Sequence, residues 1–191
     1  MDDGHHGVDL GFYRFGDHVG MRGWPVLSSL AGKVAGVILD RPPYGNAILI
    51  ETPLDELPDT WLSALQIPEP ASAPTPSAAL SCPTATPAAQ FPAEKGRSLY
   101  ILYAHFDQPP LLKTGDSVAC GQQIGVAGTS GMSVNEHLHF EVRVGTSGAT
   151  FSTMAHYDTS ATPEEMASYC IWRISGQFQL LDPMKLLSMQ P

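Results

Sequence analysis

Basic residues are scarce. Ten lysines and arginines against nineteen aspartates and glutamates leave a net charge of −9 over 191 residues. No basic patch is available to neutralise phosphates, which argues against nucleic acid as a partner. The same balance gives no general attraction to an anionic membrane or cell-wall polymer, so contact with either rests on local groups. Long apolar runs are missing too: none reaches the ~18–20 residues of a membrane-spanning helix, so no membrane insertion is expected. The opening MDDGHHGVDL is acidic and polar where a secretory signal would be basic and then apolar. Cysteine is sparse, with Cys82, Cys120 and Cys170 scattered and none in a CxxC pair. That argues against a disulfide framework or a cysteine-ligated metal, and leaves room for one bridge or none.

What is present is β-forming sequence. Hydrophobic residues make up 43 % of the chain, enough for a compact core. Residues 31–52 read as two strands, Val34–Leu39 and Ala47–Glu51, around the turn RPPYGN. A strand rich in aromatic and β-branched residues starts at Leu99 (LYILYAH). The following KTGDSVACGQQIGVAGTSG alternates apolar pairs with glycine turns and predicts tight antiparallel hairpins. Between the halves, residues 68–92 hold seven prolines and a single charge, Glu69. Proline at that density removes ladder donors and forbids helix interiors, so an extended or disordered excursion is expected. LPDTWLSALQ predicts a turn or two of helix capped by Asp59. ATPEEMASYC predicts a better helix, with Thr162 as cap, Pro163 at the first position and Glu165 three residues beyond the cap. DPMKLL predicts a short last helix from Asp182 to Leu187.

Chemistry concentrates in NEHLHFEVRVG, residues 135–145. Leu138, Phe140, Val142 and Val144 share one parity; His137, His139, Glu141 and Arg143 share the other. This period of two predicts a half-buried strand, with both imidazoles leaving one face roughly 7 Å apart at ~3.3 Å per residue. A His-x-His pair alone is equally compatible with a hydrogen-bonding or surface role. A second cluster, His5, His6 and Asp9, opens the chain, and His105 lies in LYAHFD. Imidazole nitrogens plus one carboxylate oxygen are donors that Zn²⁺ takes, usually three of them plus water at a catalytic site. Gly7 permits a backbone bend that wraps residues 5–9 round one ion. His5 and His6 are both candidate donors.

These elements in this order resemble the M23 family of lysostaphin-like (LytM-type) zinc metallopeptidases, which cut peptide bridges in bacterial peptidoglycan. The resemblance runs through His5–Asp9, Tyr103–His105, the glycine-punctuated stretch Gly115 to Gly131, and His137–Phe140. Pro25–Val26, Gly32–Val34 and Tyr44–Asn46 also resemble the family pattern, as does LDPMKLL near the end. It spans about residues 5–52 and 99–145, and implies an antiparallel, mainly β, LytM-like core with short C-terminal helices. It also implies one zinc per chain held by His5, Asp9 and His139, with His105 and His137 as unligated catalytic histidines. The family spacing prefers His5 over His6. The implied activity is endopeptidic, on peptidoglycan cross-links or stem peptides, outside the cytoplasm: secreted, periplasmic or wall-associated. His137 is then the expected general base and His105 the group that orients water or donates to an oxyanion, and the two roles can be exchanged. Glu136, Glu141 and Asp107 are nearby candidates for orienting the imidazoles.

Three departures accompany the resemblance. Only four residues precede His5, which gives the expectation of one domain over 1–191, cut short at its N-terminus. Residues 10–22 form a longer link than usual, and residues 53–98 form an insertion holding the proline-rich run. A metal-free scaffold that activates other wall hydrolases predicts lost ligands, and all are present. A biotinyl or lipoyl carrier would need a lysine in the glycine-rich turns, and none lies between Lys113 and Lys185. A purely structural zinc site would favour four ligands and cysteine. His18 and His156 read as surface or packing residues, and Trp24, Trp61 and Trp172 as packing groups.

Overall fold

The computed structural model describes residues 4–70, 81–92 and 96–189. Thirteen strands occur along the described chain. They begin with β1 (Val8–Leu10), β2 (Arg14–Phe15), β3 (His18–Val19) and β4 (Pro25–Leu27), followed by the long pair β5 (Gly32–Arg41) and β6 (Gly45–Pro53). Then come β7 (Ala89–Gln90), β8 (Arg97–Phe106), β9 (Ser117–Val118), β10 (Gln123–Val126), β11 (Leu138–Thr146), β12 (Thr150–Phe151) and β13 (Gln179–Leu181). Three helices, α1 (Asp59–Leu65), α2 (Pro163–Ile174) and α3 (Pro183–Leu187), are short. The fold is mainly β, as expected.

Nine strands form one sheet in the order β1-β11-β8-β6-β5-β12-β7, with β13 added to β11 and β9 to β5. Its pairings are antiparallel except β12 with β5. Alternation in the long strands divides the core. On one side Leu99, Ile101 and Tyr103 of β8 join Phe140, Val142 and Val144 of β11 beneath the β4–β10 pair, with Leu65 and Leu186 from α1 and α3. On the other side Tyr100, Leu102 and Ala104 pack with Phe151, Phe178 and the α2 residues Tyr169 and Trp172.

Helix α2 starts as its sequence predicts: the Thr162 side chain accepts from the Glu165 amide while Glu165 accepts from the Thr162 amide. Asp182 caps α3 through the Met184 amide. Helix α1 is capped one residue earlier than expected, at Pro58, and begins at Asp59.

Three local readings differ. The parity of β11 holds, but its polar face is not outward: α2 covers it, and Glu141 and Arg143 are 0 % and 2 % exposed. Opposite charges paired inside the layer make that burial tolerable. Strands β9 and β10 do not form a hairpin with each other but join β5 and β4; turn signals locate strand ends without naming partners. Third, the run expected to be an extended or disordered excursion is pinned over residues 81–92. Cys82 is disulfide-bonded to Cys170 on α2, the Ser81 carbonyl accepts from His156, and Ala89–Gln90 pairs with β12. Residues 71–80 of that run lie outside the described residues.

Candidate metal and catalytic site

The site forms at the β1 edge of the sheet, on the α2 side. Antiparallel pairing of β1 with β11 sets Asp9 directly opposite His139, so the two side chains leave one face. His5 reaches the same point from the segment before β1. Asp9 Oδ1 lies 3.0 Å from His139 Nδ1, 3.1 Å from His5 Nε2 and 3.4 Å from His137 Nε2. Donor atoms of His5, Asp9 and His139 all fall within 4.8 Å of one another. Tetrahedral zinc with ligand bonds of ~2.0–2.1 Å has donor–donor edges of about 3.3 Å, so the cluster is of the right size and chemistry for one ion. The side chains of His139 and His137 are 6 % and 10 % exposed and those of Asp9 and His5 are 44 % and 55 %. The cluster is therefore walled on one side and open on the other.

His105 arrives by a different device. In β8 two steps along β6, from Asn46 to Ile48, correspond to three along β8, from Phe106 to Tyr103. The extra residue makes a bulge, and His105 takes φ of 65° there while its amide donates to the Tyr44 carbonyl. A bulge re-aims a side chain that strict alternation would send elsewhere. The His105 ring consequently sits 4.7 Å from that of His137 and 5.9 Å from that of His139.

Backbone carbonyls fix two tautomers. His105 Nδ1 lies 2.8 Å from the Ser130 carbonyl, and His137 Nδ1 lies 2.8 Å from the Asn135 carbonyl. A carbonyl only accepts, so each Nδ1 carries the proton and each Nε2 keeps its lone pair in the neutral ring. Burial lowers the His105 pKa to about 4, which keeps this ring neutral at pH 7. The hydrogen bond from His139, with smaller help from His137 and His5, holds the Asp9 carboxyl well below the usual carboxylate range. Burial disfavours the charged form of His139, but hydrogen bonds with Asp9 and Glu141 outweigh it and raise its pKa.

The supporting residues sort cleanly. Glu141, fully buried, receives Arg143 Nε at 2.5 Å, the Tyr44 hydroxyl at 3.2 Å and His139 Nε2 at 3.4 Å. Burial alone would raise its pKa; Arg143 above all brings it down to about 2. Glu136 instead accepts from the Met21 and Arg22 amides, and Asp107 pairs with Arg22. His6 is not one of the three clustered donors; its Nδ1 accepts from Arg143 Nη2 at 2.6 Å. His18 stacks edge-on to Trp24, and Trp172 is fully buried in the core.

Two cavities meet at the cluster. One, of about 470 Å³, is walled by Tyr44, Met132, Tyr157, Tyr169 and Arg173; the other, of about 780 Å³, by Phe12, Tyr13, Val19 and Glu136. Both include Asp9, Val134, Asn135 and His137, so one cleft runs past the cluster in two directions. The tyrosines and Arg173 were not read from the sequence as site residues. Tyr169 and Arg173, four apart on α2, carry a same-face signal that becomes meaningful only once α2 is placed over β11.

Fold and site together define a mainly β domain whose open cleft gathers two imidazoles and a carboxylate, with two further imidazoles beside them. The family model described as peptidase family M23 matches residues 92–151, which include His105, His137 and His139. The match covers under a third of the chain, and over those residues the chain is similar to the M23 peptidases. Among solved structures, the catalytic domain of lysostaphin from Staphylococcus simulans is 20 % identical, over 95 % of this chain and 90 % of that one, with a TM-score of 0.41. A mutant catalytic domain of the prophage-encoded M23 protein EnpA from Enterococcus faecalis is 17 % identical over 73 % and 82 % of the two chains, at a TM-score of 0.38. A zinc-containing peptidase from Vibrio cholerae is 26 % identical, over 67 % of this chain and 28 % of that one, at 0.37. No curated protein sequence matches the chain.

Proposed function

We propose that this chain is a zinc-dependent endopeptidase that hydrolyses peptide cross-links or stem peptides of bacterial peptidoglycan. His5, Asp9 and His139 would hold one zinc ion, and His105 and His137 would act on the reacting water. The observation that carries the reading is the convergence of one carboxylate and two imidazole donors on an open face, with two further imidazoles, His105 and His137, alongside. Zinc held there supplies Lewis acidity, making water ionise near neutral pH and polarising a peptide carbonyl.

The protein's own groups do the proton work. His137 Nε2, next to Asp9, takes the proton of the attacking water and delivers it to the leaving amine. His105, neutral because it is buried, accepts a hydrogen bond at Nε2 and so orients that water. The cleft on either side admits an extended peptide, and its tyrosine-lined half suits a flexible chain without strong charge. A Cys82–Cys170 bridge supports an oxidising location such as the periplasm or cell exterior. Among the described residues no helix is long and apolar enough to cross a membrane.

The test is bound metal per chain by elemental analysis, alongside digestion of purified peptidoglycan. About one zinc with new amine termini supports the hydrolase, and the fragments identify the bond. Zinc without cleavage of any wall preparation would leave a scaffold, and no zinc would overturn the reading.

Gly7 offers a narrower check. It has φ of +100°, and a Cβ there would lie 2.6 Å from the Phe140 carbonyl oxygen and 3.1 Å from the Glu141 Cα. Gly7→Ala therefore strains the backbone by about 1–2 kcal/mol and pushes residues 5–7 off β11. The expected result is weaker zinc binding in competition with a chelator, with unfolding lowered only modestly. Unchanged affinity would mean that His5 is not held through this close approach.

A further inference from the structure

His5 lies three residues before β1, outside any strand, and its side chain is more than half exposed. A ligand in such a place needs something to hold its backbone. Two arginines bracket it. Arg173, in the last turn of α2, donates from Nη2 to the Gly4 carbonyl at 2.5 Å. Arg143, on β11, donates from Nη2 to His6 Nδ1 at 2.6 Å. The residues immediately before and after His5 are thus each tied to a buried guanidinium.

Both guanidinium groups converge on one carboxylate. Glu141 accepts Arg143 Nε and lies 3.6 Å from Arg173 Nη1, while its Oε2 also faces His139 Nε2. The arginines are fixed in turn. Arg143 Nη1 donates to the Phe178 and Arg173 carbonyls, and its guanidinium lies over Trp172; that of Arg173 lies over Tyr169. Arg143 and Arg173 are 2 % and 7 % exposed, and Glu141 is fully buried. Charges taken this far out of water are costly unless the geometry is well satisfied, and here three charged groups share one network.

We propose that Glu141, Arg143 and Arg173 form a buried anchor that sets the spacing of the metal ligands, with Arg173 and Arg143 as positioning residues for His5. The carboxylate orients His139 directly. The arginines orient His5 indirectly, by clamping Gly4 and His6 on either side. The anchor joins three remote pieces of chain, the segment before β1, the middle of β11 and the end of α2, so displacement of α2 loosens His5 through its neighbour Gly4. This inference rests on the zinc reading of the site, and the experiment separates the two.

Zinc dissociation constants are measured by chelator competition for the wild type and for Arg173→Met, Arg173→Lys and His6→Leu. Melting temperatures of the metal-stripped proteins are recorded alongside. Groups that orient metal ligands typically contribute about 10–100-fold in affinity. Arg173→Met should weaken zinc binding by that factor while the stripped protein melts within a few degrees of the wild type, and Arg173→Lys should restore part of the loss. His6→Leu, a milder change at a half-buried position, carries the same expectation if Arg173→Met does not fold.

Wild-type affinity in both Arg173→Met and His6→Leu would overturn the anchor and leave the zinc reading intact. So would a loss in Arg173→Met that follows a fall in melting temperature and is not relieved by lysine. A His6→Leu variant as devoid of zinc as His5→Ala would make His6 a ligand and overturn the clamp. A wild type that binds no zinc would overturn the reading of the site itself.

Discussion

His139→Ala should lose bound zinc, whereas His137→Ala should keep it and lose turnover. The two imidazoles are separated by one residue and both lie close to Asp9, so sequence spacing does not divide their roles. The proposed division rests on how each ring is held. His139 is the cross-strand partner of Asp9 and presents Nδ1 at 3.0 Å, while its other nitrogen faces Glu141. An imidazole with one nitrogen on a carboxylate of its own sheet is oriented as metal ligands usually are. His137 precedes β11, its Nδ1 proton is committed to the Asn135 carbonyl, and its Nε2 lies 3.4 Å from Asp9 Oδ1. Removing a general base typically costs about 10²–10⁴ in rate, while removing one of three ligands abolishes tight binding. Zinc per chain and kcat on a defined wall peptide measure the two effects. Equal zinc loss in both variants would make His137 a ligand and undo the assignment.

Opening the Cys82–Cys170 bridge should produce the largest change in stability. The bridge closes 88 residues of sequence, and the loop-entropy relation for that span gives about 4–5 kcal/mol at 25 °C. For a chain of this length each kcal/mol shifts the melting temperature by roughly 2–4 °C, so a fall on the order of 10 °C is expected. Other contacts of residues 81–92 oppose complete release: the Ala88 carbonyl accepts from Ser152, and the Ser81 carbonyl from His156. The Cys82→Ser, Cys170→Ser double variant, compared with wild type in urea and thermal unfolding, measures the effect. Identical curves, unaltered by reductant in the wild type, would show that the bridge does not form.

Much of this was legible locally. The alternation in residues 138–144 gives β11 and its two faces, and Thr162-Pro-Glu-Glu165 gives the start of α2, because both signals are written within a few residues. The donors His5, Asp9 and His139 could be listed as well, since their chemistry is intrinsic. Their meeting was legible only through resemblance: Asp9 faces His139 across 130 residues of sequence, and no local pattern encodes such a pairing. His105 is a sharper case. Strict alternation in β8 would turn it away from His139, and only the bulge opposite Asn46–Ile48 brings it round. The burial of Glu141 and Arg143 depends on a helix contributed from more than twenty residues downstream. In the sequence they look like the wet face of a half-exposed strand. The proline-rich run misleads for a related reason. Proline disfavours regular pairing, yet a covalent bond and two residues of strand suffice to seat residues 81–92.

The arrangement of β11 couples assembly to chemistry. Its odd-numbered residues from His139 to Arg143 face α2, and its even-numbered ones from Leu138 to Val144 face the opposite apolar layer. A slip of one residue against β8 would exchange the two sets. Glu141 and Arg143 would then be driven among leucines and valines, and phenylalanine would stand where the imidazole belongs. Eight consecutive pairs with β8 oppose that slip, so a mispaired sheet forfeits its core along with its site. Correctly docked molecules are thereby the ones that acquire the donor cluster, and an intact cluster is itself a record that the sheet paired in the right register.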